Sequence, residues 1–279
     1  MNQLPMAKRT QILGMLVEGM SINATARIAD VSKVTVLKLL VDVGTACADH
    51  QDRTLRNLPC RKLQADEIWT FVHCKASNVP KEKRGALGLG DIWCWTSICA
   101  DCKLVPAWVI GRRNTKDAIV FMQNLASRLK HRVQLTTDGH LAYLEAVESA
   151  FGSEVDYSML VKLYGQSPEG ERRYSPPVCV GTRMMRVAGK PDIQHTSTSY
   201  VERLNLGMRM NMRRFTRLTN GFSKKVENLS HAVALHFMYY NFARIHQTLR
   251  VTPAMEAGIE KRIWTLDDIA RLADQKIFT

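Results

Sequence analysis

The sequence predicts an α/β protein with a mixed sheet, preceded by an all-α helix-turn-helix domain. Two observations predict this fold. Apolar residues recur at helical spacing near the amino terminus, and from residue 61 strand-like and helical patterns alternate. The expected division is a helix-turn-helix domain (1–46), a linker (47–60), an α/β core (61–223) with a loop insertion (165–195), and a C-terminal helical region (224–279).

The composition indicates a globular protein that meets a polyanion. The chain has 279 residues, 46% of them hydrophobic, and a formal net charge of +13. Nucleic acid and an anionic membrane are the usual partners of so basic a protein. No stretch approaches the ~20 apolar residues of a spanning helix, and no signal peptide is visible. We therefore expect a cytoplasmic, nucleoid-associated protein.

The amino-terminal segment has the pattern of a helix-turn-helix unit. A first helix covers residues 7–18, Ser21 caps a short second one, and Ser32 caps a third that ends at Gly44. The third helix is expected to bury Val34, Leu37 and Val41. Four residues are then left outside as candidate DNA contacts: Ser32, Lys33, Thr35 and Lys38. An ordinary three-helix packing module is the alternative, and the basic charge favours DNA binding.

Strand and helix patterns alternate through the core. The expected strands are 62–72, 91–99, 103–111, a fourth ending at Asp138, and 155–164. The expected helices start at Asn114 or Thr115 and at Leu141. Segment 165–195 is rich in Gly, Pro and Arg and predicts loops, with a hairpin around 187–190. Later helices are expected over 197–214, from 225 or 227 to 242, and from Thr265.

Three acidic residues occupy places that are costly for a carboxylate and predict a metal site. Asp66 lies inside an apolar strand, Asp138 ends another strand, and Glu202 lies on a helix. Carboxylate oxygens suit Mg²⁺. Taken alone, Asp138 could instead cap a helix. Because strand side chains alternate, Asp66 and Glu67 are not expected to reach one site together, and the sequence hardly separates the two.

Glu202 opens a stretch, residues 202–225, that contains seven basic residues and no other acid. A structural ion pair is one explanation for it. Arg209 follows by seven residues, two helical turns along the same face, where it could clamp a phosphate beside a metal-bound phosphodiester. Three neighbouring helix and loop residues, Arg213, Arg214 and Arg217, together with Arg203, complete the expected DNA-binding set.

Several other reactive residues are expected to have ordinary roles. Tyr200 is expected to pack or to touch DNA, and His140 to cap a helix or to touch substrate. The seven cysteines form an odd set in which only Cys99 and Cys102 are close, so zinc or redox use is not expected.

The ordered motifs resemble a known family. They are Asp66-Glu67-Ile68-Trp69, Thr137-Asp138-Gly139-His140, Tyr200-Val201-Glu202-Arg203-Leu204-Asn205, Met210 to Arg217 and Tyr240 to His246. Together they resemble the bacterial DDE transposases of the insertion-sequence-one kind, in the retroviral integrase superfamily, over essentially the whole chain. Some relatives carry an amino-terminal zinc-binding segment, but this chain has no cysteine before Cys47.

The resemblance implies a ribonuclease-H-like catalytic core that uses two Mg²⁺ or Mn²⁺ ions. It implies Asp66, Asp138 and Glu202 as catalytic metal ligands, and Arg209 as the basic residue seven positions after the glutamate. Its helix-turn-helix would recognise terminal inverted repeats, and a dimer or higher assembly would act on DNA. Two alternatives stay open: a ribonuclease-H-type nuclease or resolvase, and a non-catalytic helix-turn-helix regulator.

Overall fold

A six-stranded mixed sheet organises the chain. The structure, a computed structural model, describes residues 4–86, 88–165 and 179–275. The strand order is β3-β2-β1-β4-β5-β6. The strands are β1 (Lys62–Val72), β2 (Gly90–Cys99), β3 (Trp108–Gly111), β4 (Val133–Thr137), β5 (Val155–Tyr164) and β6 (Cys179–Ala188). The predicted mixed α/β architecture is confirmed.

The register of β1 places its middle at a gap in the sheet. β1 pairs with β2 in antiparallel fashion over its length and with β4 in parallel fashion. The β4 pairing ends where Ala65 lies opposite Thr137. From Asp66 onwards β1 therefore runs beyond the carboxyl end of β4.

Helices cover both faces of the sheet. They are α1 (Met6–Val17), α2 (Ile22–Ile28), α3 (Lys33–Thr54), α4 (Thr115–Ala126), α5 (Ala142–Phe151), α6 (Ser199–Asn211), α7 (Val226–Met238), α8 (Pro253–Glu256) and α9 (Leu266–Gln275). Leu63 and Ala65 share one apolar cluster with α4 and α5, whereas Ile68 and Val72 share another with α6 and α7. Alternate residues of β1 thus face different helix layers.

The three amino-terminal helices form as predicted, but the third is longer. The hydroxyls of Ser21 and Ser32 accept backbone N–H bonds of 3.1 and 3.0 Å at the starts of α2 and α3. The prediction that α3 ends at Gly44 is wrong, since the helix continues to Thr54 through much of the expected linker 47–60. A Cβ at Gly44 would lie 2.6 Å from Cβ of His231, so this glycine permits close approach of α7.

The prediction of which residues α3 buries is also wrong. Val34 is 73% exposed, and Leu37 and Val41 are half-buried. The buried residues are Val36, Leu39, Leu40 and Val43. The face is displaced because α3 packs against α7 and α9 as well as α2, which the local helical pattern cannot show.

One apolar core joins the amino-terminal helices to the sheet and to α9. Arg9 of α1 is buried and pairs with Asp274 of α9 at 3.0 Å. Thr10 of α1 donates a 2.5 Å hydrogen bond to Asp267 of α9. The helix-turn-helix segment is therefore packed against the C-terminal helices, and the domain boundaries drawn from sequence stay predictions.

Two further segments differ from expectation. β3 starts at Trp108 rather than at Lys103: Lys103 (φ 59°) closes the turn after β2, and residues 104–107 reach β2 only through the bonds of Leu104 O and Ala107 O. Residues 179–188, expected within a loop insertion, form β6 on the edge of β5. β6 ends at Ala188, so the hairpin expected around 187–190 does not form, and residues 166–178 lie outside the described residues. The other expected boundaries agree within about one helical turn.

None of the helices in the described part of the chain combines the length and apolar character that a membrane crossing requires.

Candidate metal centre and nucleic-acid interface

Three carboxylates converge at the gap beside β4. One carboxylate oxygen each from Asp66, Glu67 and Asp138 lies within 4.8 Å of the others. The register explains the first and last of these. Because Ala65 lies opposite Thr137, Asp66 and Asp138 are the next residues on adjacent parallel strands. Oxygen ligands gathered in this way suit a hard divalent cation.

The participation of Glu67 contradicts the expectation that it and Asp66 cannot reach one site. Alternation would separate the two side chains within a continuous sheet. Here β4 has already ended, so no strand divides the two faces at this point. Asp66 also bends along its own strand, since its Oδ1 accepts a 2.8 Å hydrogen bond from the backbone N–H of Glu67. Both carboxylates therefore reach the gap from opposite sides.

Asp66 is held in an electrostatically strained environment. The side-chain amide of Asn205 donates a 2.8 Å hydrogen bond to its Oδ2. Burial, followed by the negative charges of Glu67 and Asp138, raises the pKa of Asp66 to about 7. A bound divalent cation would relieve this repulsion, so the donor set fits such an ion.

Glu67 already has protein partners for both oxygens. Arg113 Nε donates to Oε1 at 2.6 Å, and the Tyr143 hydroxyl donates to Oε2 at 3.0 Å. Burial and the charge of Asp138 raise the pKa of Glu67, while Arg113 and Tyr143 act in the opposite direction. This carboxylate is therefore less available to a metal than that of Asp66.

Helix α6 is pinned to β1 at its first turn. The buried side chain of Gln64 accepts hydrogen bonds from the backbone N–H groups of Tyr200 (2.8 Å) and Val201 (3.1 Å). Asn205, one turn further, reaches Asp66. Gln64 and Asp66 are two residues apart and face the same helix. These bonds fix the height and the rotation of α6 above the strand that carries Asp66.

Glu202 lies on this pinned turn but points away from the three-carboxylate group. Its side chain is 41% exposed and pairs with Lys162 Nζ at 2.6 Å. Thr198 Oγ1 donates to the same carboxylate at 2.5 Å. Glu202 is nevertheless close enough that its charge contributes to the raised pKa of Asp66.

Arg209 places an unpaired group near the acids. Its Nη1 is buried and has no hydrogen-bond partner within the described ranges. Burial and the charge of Arg217 lower the pKa of Arg209, and the charge of Asp66 raises it. A buried guanidinium N–H without a partner is costly, and an anionic ligand would satisfy it.

The remaining arginines of this stretch divide into two kinds. Arg203, Arg213 and Arg217 are exposed. Arg214 is turned inward, with its Nε donating to Ser223 Oγ at 2.7 Å, and burial lowers its pKa to about 10. Arg214 is thus half-buried, although it also lines the groove described next, and its expected contact with DNA stays a prediction.

A groove of about 880 Å³ between the second half of β1 and the segment after α6 combines aromatic with basic side chains. Among its lining residues are Trp69, Phe71, Arg213, Arg217 and Phe222. The rings of Phe71 and Phe222 lie 4.8 Å apart. Aromatic faces beside arginines suit the bases and phosphates of a nucleic-acid strand.

His140 and Tyr200 are both engaged within the protein. The backbone N–H of His140 donates to Asp138 Oδ1 at 3.0 Å, and its ring stacks on Trp95 with centroids 6.0 Å apart. Lys103 Nζ lies 3.6 Å above the ring of Tyr200. The contact of Tyr200 agrees with its packing interpretation, whereas the side chain of His140 does not cap α5, which begins without a side-chain cap.

The start of α3 presents the expected polar residues. Ser32, Lys33 and Lys38 are exposed and Thr35 is half-buried. Ser32 and Lys33 line a shallow groove of about 730 Å³ together with Arg27. Arg27, on the preceding helix, was not among the residues expected from the sequence.

Comparisons with known proteins do not assign the chain to a family. No protein-family model and no curated protein matches the chain. One similar solved structure is the Mos1 transposase paired-end complex with left transposon end, at 13% identity over 53% of this chain and 58% of that one, with a TM-score of 0.22. Another is the Mos1 strand transfer complex, at 12% identity over 85% and 76%, with a TM-score of 0.24. Likeness at this level carries no argument about this chain.

The sequence missed four residues that build the site: Gln64, Arg113, Tyr143 and Asn205. Two of these residues could have been recognised from the sequence. Gln64 is a polar residue within an apolar strand, two positions before Asp66, and Asn205 follows Glu202 by three positions on one helix face. Arg113 and Tyr143 meet Glu67 only through the fold.

Proposed function

We propose that this protein is a DDE transposase with a ribonuclease-H-like core. It binds the terminal inverted repeats of an insertion sequence, cleaves DNA by metal-dependent hydrolysis and joins the 3′ ends to target DNA by transesterification. The observation that carries this proposal is the meeting of Asp66 and Asp138 where β4 ends beside the middle of parallel β1, below a helix that carries Glu202. The strand order supports the core assignment, since three antiparallel strands are followed by parallel β4 and β5.

Asp66, Asp138 and Glu202 would hold two Mg²⁺ or Mn²⁺ ions. When bound, such ions would supply Lewis-acid chemistry for activating a water or a 3′-hydroxyl and for stabilising a leaving oxygen. For Glu202 to join them, its carboxylate leaves Lys162 and rotates towards Asp66. Asn205 and Gln64 keep α6 in place while this happens, and Glu67 stays with Arg113 and Tyr143.

Arginines position the DNA around this centre. The unpaired Nη1 of Arg209 clamps a phosphate beside the scissile one. The exposed Arg203, Arg213 and Arg217 hold the backbone, and the aromatic groove accepts bases. Ser32, Lys33, Thr35 and Lys38 read the terminal repeat from the start of α3. Because two ends must be joined together, the active form is a dimer or a higher assembly on DNA.

The test uses purified protein and a labelled duplex carrying the end of the DNA element that encodes it. We expect nicking at the element's end and joining to a second duplex with Mg²⁺ or Mn²⁺, and neither product with EDTA. Nicking without joining would favour a nuclease or resolvase that shares the carboxylates. Binding without nicking under either metal would favour a DNA-binding regulator.

A further inference from the structure

Three cysteines converge at a second place, where the segment after α3 meets the turn between β2 and β3. The sulfur atoms of Cys60, Cys99 and Cys102 lie within 4.8 Å of one another, and all three residues are buried. Cys60 precedes Asp66 by six residues, about 20 Å of extended chain. The thiol cluster is therefore separate from the carboxylates. The sequence shows only the Cys99–Cys102 spacing, because Cys60 joins them through the fold.

Backbone hydrogen bonds fix all three positions. The N–H of Ala100 donates to Lys62 O at 2.8 Å, which ties the β2 end to the start of β1. Cys99 N donates to Leu104 O at 2.8 Å and closes the turn that carries Cys102. On the Cys60 side, Leu58 N donates to Arg128 O at 2.9 Å. The sulfurs are thus brought together by rigid parts of the chain rather than by mobile side chains.

The turn also directs hydrogen-bond donors at one sulfur. Hydrogen bonds from the Cys102 and Cys60 thiols, and from the backbone N–H groups of Cys102 and Asp101, lower the pKa of Cys99, whereas burial acts in the opposite direction. The same thiol hydrogen bonds, together with burial, raise the pKa of Cys60. Backbone N–H groups aimed at the first sulfur of a Cys-x-x-Cys turn favour a thiolate. Cys47 and Cys94 are equally buried but lack these donors, and burial raises the pKa of each thiol.

We propose that Cys60, Cys99 and Cys102 form a three-sulfur site for a thiophilic metal ion, Zn²⁺ or Cu⁺. Each ligating thiol loses its proton to solvent, and the sulfur lone pair then forms the bond to the metal, so three thiols release up to three protons per ion. Three sulfurs complete a trigonal Cu⁺ site or leave the fourth position of Zn²⁺ to water. The bound ion would fasten residues 55–61 to the sheet and so fix α3 relative to the core.

The experiment titrates the reduced full-length protein with Co²⁺ under anaerobic conditions. Sulfur-to-cobalt charge-transfer absorption reports thiolate ligation, and the carboxylate cluster cannot produce it because it offers only oxygen. We expect this absorption to saturate at one equivalent and to disappear when Zn²⁺ is added. A parallel titration with Cu⁺ against a chromophoric chelator distinguishes the two ions by their affinities. Absence of charge-transfer absorption together with absence of Cu⁺ uptake would overturn the proposal.

Single substitutions assign the ligands. Cys60→Ser, Cys99→Ser and Cys102→Ser are each expected to reduce the charge-transfer absorption at one equivalent at least tenfold. Cys94→Ala is the matched control, since Cys94 is a buried thiol on the same strand β2 and should keep full binding. Circular dichroism checks that each variant is folded. If a variant does not fold, the test is the number of thiols in the wild-type protein that Zn²⁺ protects from alkylation. Protection of three thiols supports the site, and protection of no thiol contradicts it.

Oxidation to a Cys99–Cys102 disulfide is the alternative to metal binding at this cluster. Full binding retained in Cys60→Ser would show that two sulfurs suffice, and would also contradict the three-sulfur site. Neither result bears on the carboxylates, so this proposal and the proposed function fail independently.

Discussion

Asn205 Nδ2 lies 2.8 Å from Asp66 Oδ2, and this hydrogen bond connects α6 to the strand that carries the carboxylate cluster. The amide oxygen of Asn205 lies 3.5 Å from the Thr96 hydroxyl on β2. One side chain thus joins the helix to the neighbouring strands β1 and β2. It orients Asp66 and fixes the helix on which Glu202 lies.

Asn205→Ala should weaken metal binding without removing a ligand. Loss of the hydrogen bond leaves Asp66 Oδ2 without its amide donor, while α6 stays in place through Gln64 and its apolar packing. Removal of a hydrogen-bond partner of a metal ligand typically lowers metal affinity about 10–100-fold. Isothermal titration with Mn²⁺ measures the change. Leu206→Ala, an exposed neighbour on α6, is the control and should keep wild-type affinity.

Asp66→Asn should abolish cleavage and yet stabilise the metal-free protein at pH 8. The folded-state pKa of Asp66 is raised to about 7 from 3.8. A raised pKa gives stability that is present below pH 4 and lost as pH rises through about 7, so the ionised carboxylate opposes folding at pH 8. We expect a gain of about 1–3 kcal/mol in the free energy of unfolding. Urea denaturation in EDTA measures it, and an equal gain at pH 4 would contradict the explanation.

How far the sequence predicts this fold can be seen along β1. Its boundaries were predicted correctly because eleven residues with an apolar strand pattern form an uninterrupted element. The place of Asp138 at the end of β4 follows from the sequence, whereas its meeting with Asp66, in the middle of β1, depends on the register of the two strands. The inclusion of Glu67 does not follow, because it depends on β4 ending opposite Ala65. The length of α3 does not follow from the sequence either. A glycine is typical of a helix end, but Gly44 lies within α3 and permits a close contact with α7.

Gly44→Ala tests that contact. The added methyl would lie 2.6 Å from both Cβ and O of His231, and the helices would have to separate. We expect a loss of about 1–3 kcal/mol in the free energy of unfolding. Gly207→Ala is the matched control, since it is also within a helix but has open space around the new methyl. That substitution should be neutral or stabilise by about 0.5–1 kcal/mol.

Arg213→Ala with Arg217→Ala should weaken binding to all DNA alike. Both arginines are exposed and line the aromatic groove. Each lost phosphate contact should reduce the slope of log K against log salt by about 0.9. Fluorescence anisotropy at several salt concentrations measures the slope, and an unchanged slope would count against this surface. Arg214→Ala should instead lower stability, because Arg214 is turned inward onto Ser223.

Lys33→Ala and Thr35→Ala should reduce the preference for the cognate ends. Both residues lie at the start of α3, where a recognition helix touches base edges. We expect discrimination between cognate and random duplexes to fall by about 1–3 kcal/mol. Competition binding with the two duplexes measures it. An equal loss on both would remove the recognition role from α3.

His236 should make the protein acid-sensitive. It is buried in α7, and burial, followed by the charge of Arg244, lowers its pKa to about 3 from 6.5. Only the unfolded chain binds the proton between these values, so stability falls as pH drops from about 6.5 towards 3, by up to about 1.4 kcal/mol per pH unit. His236→Leu should flatten this dependence in urea denaturation. An unchanged pH dependence would assign acid sensitivity to other groups.

The central claim is that Asp66, Asp138 and Glu202, rather than Glu67, form the catalytic set. Its most direct test is the Mg²⁺-dependent nicking rate of Glu202→Gln beside that of Glu67→Gln. Both changes keep the side-chain shape and remove one charge. We predict that Glu202→Gln loses nicking by at least about 1,000-fold, as expected for a catalytic metal ligand. Glu67→Gln should retain about a tenth of the rate, because Glu67 acts through its neighbours. Nicking that survives in Glu202→Gln and is lost in Glu67→Gln would contradict the account.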